Sequence, residues 1–258
     1  MNSKEVLRKE EDFHDNWADS INIDEVMVDE FFEACTSPEN RIILEYLGNI
    51  NGKNILEIGC GAGEASVYFA KKGALVTATD ISTGMLNVVN SVAHKHNVSV
   101  KTLQCFSDNL PFSENTFDIV YAANILHHVN IINTIEEIRR VLKEGGVFVC
   151  WEPLAHNPAI NVYRRIASEV RTSDEHPLKM KEVREIAKYF HHVKCKGTWF
   201  FTLFIFLKFY FIDKIDPNKE RYWKKILVDN SKLGPLYTRL EKMDDFILKV
   251  FPFLRRYC

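Results

Sequence analysis

The chain has 258 residues, 46% of them hydrophobic and 26% charged, which is ordinary for a soluble globular protein and argues against a disordered or fibrous chain. Its 33 Lys and Arg against 35 Asp and Glu leave a formal net charge of −2, so no general attraction to nucleic acid is expected. No apolar run reaches the roughly 18 residues of a membrane span, and the charged N-terminus predicts no signal peptide. We therefore expect a cytoplasmic protein.

The middle of the chain alternates between strand and helix patterns. Short apolar segments predict strands over residues 53–59, 74–80, 98–105, 117–124 and 146–152. Amphipathic segments predict helices over 64–73, 82–96 and 134–146, with Ser82 as an N-cap and two glycines ending the last helix. This alternation predicts an α/β fold, a Rossmann-like, doubly wound, mostly parallel sheet with helices on both faces.

A glycine-rich turn, residues 59–63, follows the first predicted strand. A dinucleotide motif G-x-G-x-x-G would put its third glycine where Glu64 stands, and a carboxylate there opposes a pyrophosphate at the helix start. Glu57 adds a second negative charge, and no G-K-[ST] follows, which excludes a Walker A loop. The turn therefore favours a cationic nucleotide such as S-adenosylmethionine, with Asp80 placed to bind its ribose.

Four stretches of the chain resemble the class I S-adenosylmethionine-dependent methyltransferases, in particular the small-molecule group with the ubiquinone and menaquinone enzymes. They are "ILEIGCGAG", "VTATDISTGML", "NLPFSENTFDIVYAANILHHV" and "EIRRVLKEGGVFV", and the resemblance covers roughly residues 40–155. It implies an enzyme that uses S-adenosylmethionine to methylate a small, lipophilic acceptor. Whether the methyl group goes to oxygen, nitrogen or carbon stays open.

The same resemblance implies the cofactor contacts. The glycine turn would line the methionine part of the cofactor, and Asn124 would lie near its amino end. The end of the second strand would bind the ribose, and Ile81 and Met85 would lie against the adenine. Phe106 stands where the family often has an Asp for the adenine amino group, so either Ser107 or Asp108 takes over, or Phe106 covers the ring. The implied cofactor residues are Glu57, Gly59, Cys60, Gly61, Gly63, Asp80, Ile81, Met85, Phe106, Ser107, Asp108 and Asn124.

Residues 151–180 leave the fifth predicted strand, where an acceptor pocket is expected, and are dense in titratable groups. They act either in substrate recognition and proton transfer or as a lid whose charges pair structurally. His156 is the first candidate for a general base, because histidine titrates near working pH. His128 and His176 are further candidates. No metal site is expected, since the chain has neither a C-x-x-C nor an H-x-x-x-H pair.

The segment "WFFTLFIFLKFYFI", residues 199–212, contains a single charge. It is interpreted as buried core, as a homodimer interface or as a surface that enters lipid. Residues 190–258 hold 14 basic and 7 acidic residues, which favours peripheral contact with an anionic membrane surface. The antiparallel strand that usually ends this fold is expected at 199–206 or 251–258.

Three regions are predicted: an N-terminal cap over the cofactor site (1–40), a methyltransferase domain (41–198) with a lid at 153–180, and an apolar, basic extension (199–258). Phe13 or Trp17 is expected to be the aromatic of the cap. The alternatives are a non-catalytic S-adenosylmethionine-binding partner protein and a methyltransferase for RNA or protein. DNA is not an expected substrate, because the motifs of DNA methyltransferases are missing.

Overall fold

The computed structural model describes residues 3–167 and 177–257. Five strands alternate with helices in the first part of the chain, and helices follow. The strands are β1 (Asn54–Ile58), β2 (Leu75–Asp80), β3 (Val100–Gln104), β4 (Phe117–Ala123) and β5 (Leu142–Trp151). The helices are α1 (Ser3–Asp19), α2 (Val28–Glu33), α3 (Pro38–Leu47), α4 (Glu64–Lys71), α5 (Thr83–Lys95), α6 (Ile131–Val141), α7 (Pro158–Ile166), α8 (Met180–Ala187), α9 (Phe204–Phe211), α10 (Tyr222–Val228) and α11 (Asn230–Val250), with 3₁₀ turns at Ile23–Glu25 and Pro252–Tyr257.

The sheet has the strand order β3-β2-β1-β4-β5, and all its pairings are parallel. The order reverses between β1 and β4, so the carboxyl end of β1 lies at the topological switch point, where such sheets bind ligands. The predicted α/β class and the five predicted strands are confirmed.

The central strands β1 and β4 form because their residues are mostly apolar on both faces, as a parallel sheet covered by helices requires, whereas the edge strand β3 is largely exposed. Ile55 and Leu56 of β1 and Val120 and Tyr121 of β4 have no exposed surface. Aromatic side chains pack against the sheet: the ring of Tyr121 meets that of Phe69 in α4 edge-on, with centroids 5.2 Å apart. The core of this part of the chain thus holds the carboxyl end of β1 in place.

The boundary between α6 and β5 differs from the prediction. The helix ends at Val141 rather than at the two glycines, and β5 begins at the next residue. The N–H groups of Asn115 and Thr116 donate to the carbonyls of Arg140 and Val141 at 3.0 and 2.8 Å, which ends the helix before its glycines. Gly145, with a φ of +74°, lies in the irregular stretch that follows.

The expected antiparallel strand is absent from both predicted places. Residues 199–203 form turns before α9, and residues 252–257 form a 3₁₀ helix; residue 258 lies outside the described part of the chain. The carboxylate of Asp244 accepts the N–H groups of Phe200 and Phe201 at 3.1 and 2.5 Å. These donors are therefore bound by a side chain and cannot join a strand ladder.

The chain divides into two compact units. The first takes in the chain up to Phe32 and Ile42–Glu152, and the second takes in Glu33–Arg41 and the chain from Pro153. The described parts of the predicted lid and of the predicted extension thus belong to one unit, which has its own aromatic core. The cap and lid functions of these regions stay predictions. No helix within residues 3–167 and 177–257 has the length and apolarity needed to cross a bilayer.

Candidate cofactor-binding site

The glycine turn after β1 packs closely on two sides and is open on the third. Gly59, Gly61 and Gly63 all have positive φ angles, of 67°, 50° and 85°, which glycine adopts without strain. A Cβ on Gly59 would come 2.8 Å from Cδ1 of Ile125, and one on Gly63 would come 2.8 Å from Cγ2 of Val89. A Cβ on Gly61 would have no atom within 4 Å. Gly59 and Gly63 therefore pack too closely against neighbouring residues to carry a side chain, whereas Gly61 borders open space.

Asp80 ends β2 next to this turn and is buried. Its Oδ2 accepts the N–H of Gly61 at 3.0 Å, and its Oδ1 accepts the N–H of Ser82 at 2.9 Å. Burial raises the pKa of Asp80, and these two backbone hydrogen bonds oppose that rise. The structure thus brings the predicted ribose ligand and the predicted methionine loop together.

Glu57 lies one residue before the end of β1 and is only 4% exposed. The hydroxyl of Ser66, in α4, donates a hydrogen bond to its Oε2. Burial raises the pKa of Glu57 to about 8; the Ser66 bond partly offsets this, and the nearby carboxylates of Glu64 and Asp80 add to it. A cation beside Glu57 would relieve this cost, so the site favours a positively charged ligand.

Helix α1 contributes a residue that the sequence analysis missed. Oδ1 of Asp15 accepts hydrogen bonds from the hydroxyl of Ser82 and, at 2.9 Å, from the N–H of Gly84. Ser82 is the predicted N-cap of α5, and its Oγ also accepts the N–H of Met85. A Cβ on Gly84 would come 2.9 Å from the Cβ of Ala18, so only glycine permits this approach of α1. Asp15 therefore attaches α1 to the start of α5, beside Asp80.

A second α1 carboxylate lies close to two histidines. Glu10 is buried, its Oε1 lies 3.5 Å from Nδ1 of His128, and its Oε2 lies 3.6 Å from Nε2 of His14. Nδ1 of His14 is buried and has no hydrogen-bond partner among the described residues. His128, a candidate base, is thus held near a carboxylate of the predicted cap.

Glu152, directly after β5, holds the loop that follows β4. Its Oε1 accepts the N–H groups of Ile125 and Leu126 at 2.9 and 2.8 Å, and its Oε2 lies 2.6 Å from Nδ1 of His127. Both His127 and Glu152 are buried side chains, so this pair supports the loop from inside the protein. Glu152 was grouped by sequence with the polar residues of the acceptor region, and its partners give it a structural role.

The residue before that loop, Asn124, adopts a left-handed conformation with a φ of 55°, which asparagine tolerates. Its N–H donates to the carbonyl of Trp151, and its side chain is exposed at the carboxyl edge of the sheet. Its predicted contact with the cofactor's amino end stays a prediction.

The three candidates for the adenine contact differ in environment. Phe106, two residues after the end of β3, is 44% exposed. The hydroxyl of Ser107 lies 3.0 Å from that of Thr134 in α6, and Asp108 is exposed. Ser107 is therefore already engaged, which leaves Phe106 and Asp108 open to a ligand.

The remaining predicted cofactor residues are less accessible. Met85 has no exposed surface and packs in the core, so it supports the site from beneath. Ile81 is partly exposed, and its carbonyl accepts Nε2 of Gln104. The side chain of Cys60 packs with Ala78, and burial raises the pKa of its thiol, which makes the thiol unreactive.

His156 belongs to the second unit and is exposed. It borders a cavity of about 580 Å³, whose other lining residues are Met180, Arg184, Cys195, Pro252, Phe253 and Arg255. His128 belongs to the first unit, and His176 lies outside the described residues. In the part of the chain that the structure describes, no group of three or more His, Cys, Asp or Glu residues is arranged to hold a metal ion.

A parallel sheet with a glycine turn after β1 and a carboxylate at the end of β2 is typical of nucleotide-binding α/β domains. Residues 56–150 match the family model described as "Methyltransferase domain". Over these residues the chain is similar to methyltransferase domains.

The chain is also similar to proteins named methyltransferases, and one solved structure shares its fold. A demethylmenaquinone methyltransferase of Symbiobacterium thermophilum is 40% identical over 107 residues, 39% of this chain and 43% of the relative. An uncharacterized methyltransferase of Synechocystis is 34% identical over 45% of this chain and 59% of its own length, and a sterol 24-C-methyltransferase of Gibberella zeae is 30% identical over 53% and 37%. The chain spans between 37% and 60% of the length of the first relatives it matches. The YcgJ protein of Bacillus subtilis shares the fold, with a TM-score of 0.50 and 22% identity over 57% of this chain and 65% of that one.

Proposed function

We propose that this chain binds S-adenosylmethionine at the carboxyl edge of β1 and β2 and transfers its methyl group to a small, lipophilic acceptor. The observation that carries the proposal is the pair of buried carboxyls, Glu57 and Asp80, around a glycine turn with open space at Gly61. The match of residues 56–150 to the methyltransferase-domain model supports the same cofactor.

The residues of the site fit this cofactor chemically. S-adenosylmethionine carries a sulfonium and an ammonium group, and a cation next to Glu57 stabilises the ionised form that burial disfavours. Each oxygen of Asp80 accepts one backbone N–H, and Oδ2 also lies 4.0 Å from Sγ of Cys60; the remaining lone pairs are available to ribose hydroxyls. Glu64 in the first turn of α4 opposes a pyrophosphate, which disfavours NAD.

Bound S-adenosylmethionine would supply an activated methyl group. The task of the chain is then to hold both reactants in line and to exclude water, which can contribute about 7–11 kcal/mol to lowering the barrier. Asp15 serves this by attaching α1 to the start of α5 beside Asp80. If the acceptor is a hydroxyl, a base such as His156 or His128 adds about 10²–10⁴-fold by taking its proton.

A lipophilic acceptor is supported by two observations. The names of the relatives include a sterol and a demethylmenaquinone, both lipophilic molecules. The second unit offers a cavity beside His156 in which Met180 and Phe253 supply apolar surface. Neither observation selects the acceptor atom.

Calorimetry on the purified chain tests the cofactor. S-adenosylmethionine and S-adenosylhomocysteine should bind with micromolar affinity, and NAD should not bind. Asp80→Ala should weaken binding by about 1–3 kcal/mol, because it leaves polar partners unpaired. Glu144→Ala, at an exposed position, is the matched control. Wild-type affinity in Asp80→Ala contradicts the ribose assignment, and tight NAD binding contradicts the proposal.

Transfer of a labelled methyl group tests the acceptor. With total cell extract as substrate, label should enter the organic phase. His156→Ala should lower the rate far more than the cofactor affinity, whereas His191→Ala, another exposed histidine, should match the wild type. Label in RNA or protein, or none at all, contradicts a lipophilic acceptor; an unchanged rate in His156→Ala assigns the base to His128 or His176.

A further inference from the structure

The apolar run at residues 199–212 is partly core. Leu203, Ile205, Phe206 and Phe209 are buried, and the ring of Phe206 meets that of Trp223 at a centroid distance of 4.6 Å. The core interpretation therefore accounts for one side of α9. Other large apolar residues of the second unit are exposed, and this core does not account for them.

Helix α11 carries an exposed apolar stripe that the sequence analysis did not single out. Its members recur at helical spacing, and with about 100° per residue they lie within an arc of about 80°. They are between 41% and 66% exposed: Leu236, Met243, Phe246 and Val250. We call these four residues the α11 stripe.

The opposite side of α11 holds the helix in this orientation. Tyr237 and Leu248 are buried there, and Tyr237 meets Trp199 with ring centroids 5.5 Å apart. The carboxylate of Asp244 binds the backbone before α9. The helix is thus anchored by one face, and the stripe stays exposed.

Basic residues accompany the stripe. Arg239 lies within its arc, and Lys242 and Lys249 lie about 40–60° from Phe246 along one edge. All three are exposed, and within the described residues neither lysine pairs with a carboxylate. The exposed acid of the helix, Asp245, lies about 100° from the nearest stripe residue.

We propose that the α11 stripe and its basic edge bind an anionic lipid surface. Large apolar side chains that enter the acyl boundary, flanked by Lys and Arg that meet anionic headgroups, are the pattern of an interfacial helix. A second copy fits less well, because a twofold contact through the stripe would bring the same basic edges together. This proposal goes beyond the proposed function, since it needs neither cofactor nor acceptor.

Helix α9 exposes a smaller apolar set of its own. Phe204, Leu207 and Phe211 are spaced at i, i+3 and i+7, and Phe211 is the most exposed of them. It lies in the segment, residues 199–212, for which the sequence left buried core, a homodimer interface and membrane contact as alternatives. It provides a separate variant, Leu207→Ser/Phe211→Ser, which measures whether α9 shares the binding.

The test is flotation of the full chain with vesicles of phosphatidylcholine alone and of phosphatidylcholine and phosphatidylglycerol in equal parts, at low and high salt. Wild type should float with the anionic vesicles at low salt. Met243→Ser/Phe246→Ser and Lys242→Glu/Lys249→Glu should each weaken binding about tenfold or more. The matched control, Lys53→Glu/Lys101→Glu, changes two exposed lysines of the first unit and should bind like the wild type.

Three results would overturn the proposal: wild type that floats with neither vesicle, a control variant that loses as much binding as Lys242→Glu/Lys249→Glu, or self-association in sedimentation velocity that Met243→Ser/Phe246→Ser abolishes while vesicles do not bind. The last result assigns the stripe to a second copy of the chain. All variants should keep wild-type affinity for S-adenosylmethionine in calorimetry, so a failure here is distinguishable from a failure of the proposed function.

Discussion

Nδ1 of His127 lies 2.6 Å from Oε2 of Glu152, and only 4% of each side chain is exposed. Since the other oxygen of Glu152 binds two backbone N–H groups, one carboxylate holds the loop after β4 by three contacts. His127 is therefore a structural histidine, and the neighbouring His128 is the one of the two that faces the predicted cap.

Glu152→Ala should destabilise the protein by about 2–4 kcal/mol, because it leaves two buried N–H groups and a buried imidazole without their partner. Urea unfolding followed by circular dichroism measures the change. Glu144→Ala removes an exposed glutamate of β5 and should stay within about 0.5 kcal/mol of the wild type. Equal midpoints for the two variants would show that the Glu152 contacts do not stabilise the loop.

Binding of S-adenosylmethionine should release protons near pH 7. Burial raises the pKa of Glu57 to about 8, so the free site is largely protonated there, and the cationic ligand lowers that pKa again. Affinity should accordingly rise as the pH increases from about 6 to about 8.5. Calorimetry in phosphate and in Tris, whose ionisation enthalpies differ, counts the protons.

Glu57→Gln is the control for this measurement, since glutamine cannot titrate. Its uncorrected binding heat should be the same in both buffers, because no proton passes to the buffer when the ligand binds. A release of the same size in Glu57→Gln would assign the protons to another group.

Glu39 should make stability fall as the pH rises. It accepts a hydrogen bond from Nε1 of Trp199 at 2.7 Å, and burial raises its pKa from 4.5 to about 7 although this bond partly offsets the rise. Because the folded-state pKa is the higher one, the contribution of Glu39 to stability is fully present below about pH 4.5 and is lost as the pH rises through about 7.

Urea unfolding followed by tryptophan fluorescence between about pH 5 and pH 8 measures this dependence. Glu39→Gln should flatten the profile in that window, whereas Glu45→Gln, at an exposed position, should leave it as in the wild type. A Glu39→Gln profile as steep as that of the wild type would contradict the assignment.

Substitutions at two glycines of the turn should affect stability and cofactor affinity differently. Gly63→Ala places a Cβ 2.8 Å from Cγ2 of Val89 and should lower the melting temperature clearly. Gly61→Ala meets no atom within 4 Å and should cost only the left-handed strain of about 1–2 kcal/mol, while it removes affinity for S-adenosylmethionine. Calorimetric titration measures the affinity of both variants for S-adenosylmethionine, and thermal unfolding measures their melting temperatures. Full affinity in Gly61→Ala would mean that the cofactor does not approach this glycine.

Asp15→Ala should release α1 from the start of α5, because the hydroxyl of Ser82 and the N–H of Gly84 lose their acceptor. Hydrogen exchange over residues 3–19 should become faster, and affinity for S-adenosylmethionine should fall. Asp12→Ala, an exposed position on the same helix, should change neither. If hydrogen exchange in Asp15→Ala is unchanged, α1 is held by its apolar contacts and not by Asp15.

The sheet and the glycine turn could be predicted because their signals are local. The apolar residues of β1, the positive-φ glycines that follow it and Asp80 at the end of β2 each reflect a requirement of the chain within a few residues. In a parallel sheet the carboxyl ends of neighbouring strands must meet, so the proximity of Asp80 to Gly61 follows from the strand order.

The contacts that complete the candidate site join residues far apart in the chain, and the periodic pattern of apolar residues does not predict such contacts. Asp15 and Gly84 are 69 positions apart, and the three donors that Glu152 binds became recognisable only once the loop after β4 was placed. The missing strand at 199–206 has the same cause, because Asp244 takes the backbone donors of that segment.

The sequence by itself determined the α/β class, the glycine turn and the similarity to methyltransferases, since strand periodicity and glycine conformation are properties of short segments. Only the tertiary structure decided which apolar residues are core. Helix α11 has apolar residues on both sides, and their burial depends on what packs against each face: Tyr237 lies in the aromatic core, whereas Phe246, nine positions on, faces outward. Burial is set by the neighbours that folding brings to a residue, so it cannot be read from the residue's own position in the chain.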